Sequence, residues 1–513
     1  MNDHGLGSWP SRRARISPRA VALRQGERSL TYAALADRVE RGAAALAALG
    51  VEPSDRVGYL GLNDVLTFEA MFAAHRLGAI FVPLNHRLAP PEIAYMVEDS
   101  GISVLLLGPG VEAVAAGLAE EPAFVGARVT VIESLDDVDA KAGPAVEVGL
   151  DDPALFLYTS GTTGRPKAAI ITHGNLTWNT VNQLAHVDVL SSDHALCIAP
   201  LFHAVGLGQI TLPVLFKGGC VEVVPRFDAG EVLALIEQHR IASFSCVPTM
   251  LQMMTEHPSW ASTDLSSLRH VLYGGSPVTA RTADAWWRRG VQLQQGYGMT
   301  EAAPGVAMAP ADGAIDHPLS VGMAHFFTDI AFFDGLGPRG IAAGERGELL
   351  VRGPHVFAGY WHREQETAQA VINHATGRWY RSGDIIQAGQ DGWLSVVDRV
   401  KDVIISGGEN VYPAEVEAVI AELPAISSAA VVARPDERWG EVGVAYVETL
   451  AESTVTGDEV LDYLRPRLAK FKLPQEVVVV DALPRNATGK VLRHRLREEA
   501  RRQARTDQKG HTS

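Results

Sequence analysis

Between residues 31 and 49 the apolar positions Leu35, Val39, Ala43, Leu46 and Leu49 recur at helical spacing, with Thr31 placed to cap the start and Gly50 to end the last turn. A helix is predicted there. Residues 56–60 and 79–84 read as short strands, 65–77 as a helix between them, and 102–107 as a further apolar run. The alternation resumes downstream, with apolar runs at 155–158, 195–199, 220–224 and 242–247 and a helical pattern at 231–238. Such alternation implies βαβ units, and hence an α/β architecture of mostly parallel, helix-covered sheets. Ligands in such sheets bind beyond the carboxyl ends of the strands.

After about residue 340 the texture changes. Gly344, Gly347, Gly353 and Gly359 punctuate short strand-like runs such as 348–352, which predicts a small β-rich subdomain closing near Val397. The charged segment Asp398-Arg399-Val400-Lys401-Asp402 then separates two apolar runs, and from Tyr412 onward a helix, strand, strand, helix, strand, helix pattern appears. The predicted organisation is a large N-terminal domain over 1–397, a hinge at 398–402 and a small, mobile α+β domain over 403–513.

Composition narrows the class. With 513 residues, 47% of them hydrophobic, the chain can build several sizeable cores. A net charge of −15 argues against a general nucleic-acid binder, despite basic stretches at 12–15 and 493–505. Cys197, Cys220 and Cys246 are far apart and form no C-x-x-C pair, so they indicate neither a disulfide framework nor a zinc site. No stretch approaches the roughly 20 apolar residues of a membrane span. The expectation is a soluble protein of the cytoplasm.

Candidate chemistry starts at Tyr158-Thr159-Ser160-Gly161-Thr162-Thr163-Gly164-Arg165-Pro166-Lys167, directly after the apolar run 154–157. Gly161 and Gly164 let backbone approach an oxyanion, hydroxyls and amide N–H groups donate to it, and Lys167 adds charge. The spacing is not that of a Walker loop, because Pro166 precedes the lysine and Ala168 follows it. In Gly296-Tyr297-Gly298-Met299-Thr300-Glu301 the glycines admit a ligand, Tyr297 offers a ring to stack on a base, and Glu301 offers a carboxylate for a cation such as magnesium. A structural turn serves equally well for that run alone. Gly274-Gly275-Ser276 ends another apolar run, Asp384 follows a glycine turn as a ribose-binding carboxylate would, and Lys490 stands on a loop before a helix.

Taken in order, these motifs resemble the adenylate-forming superfamily, and most of all its fatty-acyl-CoA and medium-chain acyl-CoA synthetases. Pro200-Leu201-Phe202-His203, Tyr380 to Asp384, Asp398 to Asp402, Gly407-Gly408-Glu409-Asn410-Val411-Tyr412-Pro413 and Pro484 to Lys490 complete the resemblance, which spans about residues 10–500. It implies ATP, Mg2+ and CoA as reactants or cofactor. A carboxylic acid attacks the α-phosphate to give acyl-AMP and pyrophosphate, and a thiol then displaces AMP. By resemblance Thr159, Ser160, Thr162, Thr163 and Lys167 cradle the β- and γ-phosphates, while Glu301 holds magnesium together with a loop hydroxyl, that of Thr159. Thr300 contacts the α-phosphate. Gly274, Gly275, Ser276, Gly296, Tyr297 and Gly298 surround adenine, and Asp384 and Arg399 grip the ribose. Lys490 bridges carboxylate and α-phosphate. Rotation about 398–402, with Lys401 in the hinge, then replaces it by Gly407, Gly408 and Glu409.

For the acid, the resemblance points to His203 as a gate and to Val205, Gly206, Gly208, Gln209, Val247, Gly298 and Met299 as the lining. The segment 203–212 carries no formal charge apart from a histidine. An unpaired buried ion is expensive, so an uncharged tail is expected. The small residues Ala204, Gly206 and Gly208 read as room for a chain or ring. Medium to long fatty acids come first, with aryl acids as competitor. An acyl carrier protein in place of CoA, and a non-catalytic sensor that kept the fold, are the alternatives. Oligomeric state is left open.

Overall fold

A computed structural model of the chain describes residues 3–121, 124, 130–132, 134–136, 138, 146–159, 165–275, 278–310, 313–314, 316–317, 320–406, 409–436, 439–450, 453, 455–485 and 490–503, and the backbone of 504–510. It divides into two compact units, one of Met1–Ile330 with Val351–Tyr380, the other of Ala331–Leu350 with Arg381–Ser513. The boundary falls inside the strands Arg346–Arg352 and Gly377–Ala388, ahead of the predicted linker. Asp398 and Arg399 of that linker complete the strand Leu394–Arg399.

The first unit is built on two sheets. One has nine strands in the order Met323–Ala324, Gly305–Met308, Leu293–Gly298, His270–Gly274, Ser243–Cys246, His194–Cys197, Cys220–Val223, Val21–Gln25 and Arg28–Thr31, the central six parallel. The other has seven, in the order Gly359–Tyr360, Lys167–Thr172, Pro153–Thr159, Ile80–Leu84, Arg56–Leu60, Ile102–Leu107 and Thr130–Ile132. Its last five are parallel. Parallel strands are buried on both faces and so read as continuous apolar runs. All five residues of Ile80–Leu84 are buried, and strand Arg56–Leu60 has the predicted bounds.

Helices close over these sheets where the sequence supplies caps. Thr31 Oγ1 accepts from the Ala34 N–H at 3.2 Å to start Tyr32–Ala48, and Asp64 accepts from Leu66 N–H at 2.8 Å to start Val65–Arg76. Phe244, Val271 and the wholly buried Trp286 anchor one core, and Val82, Leu105 and Phe156 another. No described helix is long and apolar enough to cross a membrane.

In the second unit Pro413–Ile420, Ile426–Asp436, Gly440–Thr449, Gly457–Leu464, Glu476–Val480 and Arg493–Gly510 follow in the predicted order of helix and strand. The small hairpin of Ile404–Ser406 and Glu409–Val411 precedes them, and no periodicity announced it. Asp398 ties the strand Leu394–Arg399 to the first helix, accepting from the N–H of Arg399 at 2.7 Å and of Ala414 at 2.9 Å. Burial holds its carboxyl up at about 6.

One side chain fixes two functional segments of the first unit to each other. Asn179, fully buried, donates to the Gly208 carbonyl at 2.7 Å and accepts from the Gly305 N–H at 3.1 Å. Asn179→Ala leaves a buried carbonyl and a buried N–H unpaired, each costing about 1–3 kcal/mol. The expected loss in urea unfolding is therefore larger than the roughly 1 kcal/mol typical of a point substitution.

Candidate active site

The strands His270–Gly274 and Leu293–Gly298 run side by side and in parallel, with Gly274 in register with Gly296. Their carboxyl ends carry the glycine motifs. Gly275 adopts φ +88°, and a methyl there meets nothing within 4 Å, so its backbone offers an open surface to a ligand. At Gly298 the case is opposite. A methyl would lie 1.7 Å from the Pro304 carbonyl oxygen, because the chain turns back so tightly that Met299 N–H donates to that oxygen at 3.0 Å.

That return aims Glu301, on the short turn Thr300–Ala302, into the protein. Its residue is only 8% exposed, and the Tyr360 hydroxyl donates to its Oε1 at 2.6 Å. Burial first and the Glu301 carboxylate next push the Tyr360 phenol far above its ordinary value, so it stays a donor. Lys167 Nζ lies 3.6 Å from the centre of the Tyr360 ring and 3.2 Å from Glu366 Oε2. Lys167 also pairs in register with Thr159 across the antiparallel hairpin. The predicted phosphate lysine and magnesium carboxylate are thus joined through one tyrosine ring. Sequence reading missed Tyr360 and Glu366. Tyr360 is distant in sequence from Glu301 and Lys167, and only strand pairing with Ala169 brings it there.

Around the predicted acyl segment, the helix Ala204–Gly208 follows His203. Burial first and the Arg87 cation second lower the His203 imidazole to about 4, so it is neutral at physiological pH. Its Nε2 is buried with no hydrogen-bond partner. A methyl on Gly206 would meet the Pro200 carbonyl at 2.3 Å, and one on Gly208 the Pro304 ring at 2.4 Å. These glycines let backbone segments touch. Each is required by a close approach on its Cβ side. Gln209 is 6% exposed, its Nε2 sits 2.7 Å from where a Gly296 methyl would be, and its Oε1 has no partner. Val205, Val247, Tyr297, Met299 and Thr300 are half-buried.

The second unit gathers the remaining charged candidates. Asp384, 4% exposed, meets Arg399 Nε at 2.9 Å, and the two residues are in register across paired strands. Asp402 meets Arg497 at 3.0 Å. Lys490 stands at the surface, yet surrounding protein first and the Arg399 guanidinium second lower its ammonium to about 8, with Asp384 and Asp402 opposing the shift. Burial and then Arg399 also lower Lys401. Glu409 is exposed at the start of its strand. Ser160, Gly161, Thr162, Thr163, Gly164, Ser276, Gly407 and Gly408 lie outside the described residues.

Residues 11–361 match the family described as AMP-binding enzyme, and 415–490 match the AMP-binding enzyme C-terminal domain. A feruloyl-CoA synthase of an Amycolatopsis species is 48% identical over 97% of this chain and 99% of its own. An indoleacetate–CoA ligase of Aromatoleum aromaticum is 42% identical over 96% of this chain and 98% of its own. Among solved structures, o-succinylbenzoate CoA synthetase of Bacillus subtilis in complex with ATP and magnesium superposes with a TM-score of 0.84 at 32% identity, covering 95% of this chain and 99% of that one.

The Lys167–Tyr360–Glu301 chain makes a separable prediction. Tyr360→Phe keeps the ring beneath Lys167 and removes only the donor to a buried carboxylate, an expected cost of about 1.5–3 kcal/mol. Tyr360→Leu loses the ring as well, adding about 0.5–2 kcal/mol. Urea unfolding of the two variants beside the wild type measures both steps.

Proposed function

The chain belongs to the AMP-binding enzyme family, and on that premise we propose that its acid is an aromatic carboxylic acid bearing a ring hydroxyl, activated by the residues just described. As a member it is an ATP-dependent acid–thiol ligase. A carboxylate oxygen bonds to the α-phosphorus of ATP as the bond to the bridging oxygen breaks, and the electron pair leaves with pyrophosphate. The thiol sulfur of CoA then bonds to the acyl carbon, AMP departs, and the thiol proton is released. CoA as acceptor accords with the CoA ligases most similar to this chain, and nothing favours a carrier protein.

Both steps move negative charge, so fixed donors and cations supply the rate. Lys167, now held by Glu366 and the Tyr360 ring, is placed to exchange that company for phosphate oxygens. Magnesium, when bound, spreads the phosphate charge. The buried Glu301 carboxylate suits that hard ion, since an ionised carboxylate has acceptor capacity beyond the bond from Tyr360. In this reading Tyr297 and the backbone at 274–276 hold adenine, Asp384 and Arg399 hold the ribose, and Thr159 and Thr300 serve the phosphates. Residues 403–513 move about 398–402 between the half-reactions, offering Lys490 in the first and the segment 407–409 in the second.

The observation that carries the choice of acid is Gln209. An alkyl tail beside it leaves a buried carbonyl oxygen unpaired, whereas a ring hydroxyl supplies the missing donor. Neutral His203 adds no charge that would select a dicarboxylate. The relatives named for feruloyl and indoleacetate support an aromatic acid, the first of them one that bears a ring hydroxyl. Rates of CoA-ester formation with 4-hydroxycinnamic, ferulic, cinnamic, octanoic and dodecanoic acids test it. The expected order places the hydroxylated acids at least about tenfold above cinnamic acid in kcat/KM, with Gln209→Leu abolishing that gap. Higher kcat/KM with the fatty acids overturns the proposal.

Lys490 yields a second test. Lys490→Ala is expected to lose acid-dependent ATP–pyrophosphate exchange by on the order of 100-fold or more, while keeping most of its conversion of supplied acyl-AMP and CoA. In the wild type the ammonium is lost as pH rises through about 8, so kcat/KM for adenylation falls on that limb. Lys490→Arg, which does not titrate there, removes the limb. Equal loss of both half-reactions in Lys490→Ala counts against the role.

A further inference from the structure

The nine-stranded sheet of the first unit carries a second polar cluster, at the opposite end of its strands from the glycine motifs. His194 is the first residue of His194–Cys197, and Glu222 lies on the neighbouring parallel strand, where Cys220 is in register with His194. His239 follows the helix Ala229–Gln238, just before the strand Ser243–Cys246 begins. Glu222 Oε2 is 2.8 Å from His239 Nδ1 and 3.1 Å from His194 Nε2. One ligand atom from each of the three residues falls within 4.8 Å of the others. The carboxylate side chain is 2% exposed, while the imidazole side chains are 16% and 25% exposed, so an ion can reach it from solvent.

The orientation of the His194 ring makes this more than a buried acid with two neighbours. His194 Nδ1 faces the backbone carbonyl of His239 at 3.3 Å, which places a proton on Nδ1. His194 Nε2 is turned toward the carboxylate oxygen and makes no hydrogen bond. A ring nitrogen whose partner N–H donates to a backbone carbonyl is also the arrangement that orients histidine on a metal. Tetrahedral zinc with ligands at ~2.1 Å needs ligand atoms roughly 3.4 Å apart. Glu222 Oε2 lies at 2.8 and 3.1 Å from the two imidazole nitrogens and all three ligand atoms lie within 4.8 Å of one another, so side-chain shifts bring them onto one ion. Arg24, with Nε 4.0 Å from the same oxygen and its side chain 35% exposed, has to turn outward when the ion binds.

We propose that His194 Nε2, Glu222 Oε2 and His239 Nδ1 form a three-ligand site for a divalent cation of zinc type, with water in the fourth position. The site ties the end of a helix to two interior strands of the sheet, at the end of those strands opposite the glycine motifs. The sequence reading passed over it because it weighed cysteines alone.

The test uses the full-length enzyme, stripped with chelator and titrated with Zn2+ by calorimetry, with thermal unfolding in parallel. Cobalt absorption reports the ligand set. The expected result is about one equivalent of tightly bound zinc and a Tm that rises with zinc concentration. In the His194→Gln/His239→Gln double variant both are lost, while CoA-ester formation in the presence of Mg2+ persists. His239→Gln alone, at the solvent rim, decides the matter if the double variant does not fold. Equal zinc uptake by wild type and variants, or none by the wild type, leaves only an imidazole–carboxylate ion pair and overturns the proposal.

Discussion

A carboxylate removed from water needs a partner, and in the first unit Glu301 has the hydroxyl of Tyr360 at 2.6 Å. That bond joins the two sheets. Glu301 comes from the turn after a strand of the nine-stranded sheet, while Tyr360 sits on the edge strand of the seven-stranded sheet, next to the strand that begins at Lys167. A cation over one face of the ring and an acid at its hydroxyl bring opposite charges close without letting them neutralise each other directly. Such a separated pair suits a triphosphate and its metal, which need one group of each kind.

The geometry around that bond is held by contacts that tolerate almost no added atoms. Gly298 closes on Pro304, Gly208 on the same proline, and Asn179 binds the backbone at both Gly208 and Gly305. The helix Ala204–Gly208 and the turn Thr300–Ala302 are therefore one packed body. A shift in either is transmitted to the other, because close-packed interiors have little slack. In the second unit the candidate site residues interact through charge. There burial and then Arg399 lower both Lys401 and Lys490, the latter to about 8, while Arg399 itself pairs with Asp384.

Elements whose residues answer to their own neighbours were legible from the chain. Strand Arg56–Leu60, the helix capped by Thr31 and the six-element order of the second unit followed from periodicity and caps. The hairpin at 404–411 escaped because its strands are three residues long, too short for any period to register. Gly206 and Gly208 are ambiguous for a related reason. A glycine announces that something comes close, and the sequence does not say whether that is a ligand or, as here, the protein's own backbone.

By itself the sequence determined the alternation of strand and helix, the loops at strand ends that hold the reactive side chains, and the order of motifs that marks the chemistry. Each of these depends on residues close together in the chain. Tertiary structure alone decided that Tyr360 stands between Lys167 and Glu301, that Gln209 Oε1 is buried without a donor, and that His194, Glu222 and His239 converge. Those relations join residues from separate strands and helices, and proximity across a sheet is fixed by strand order and register, which leave no local trace in the sequence.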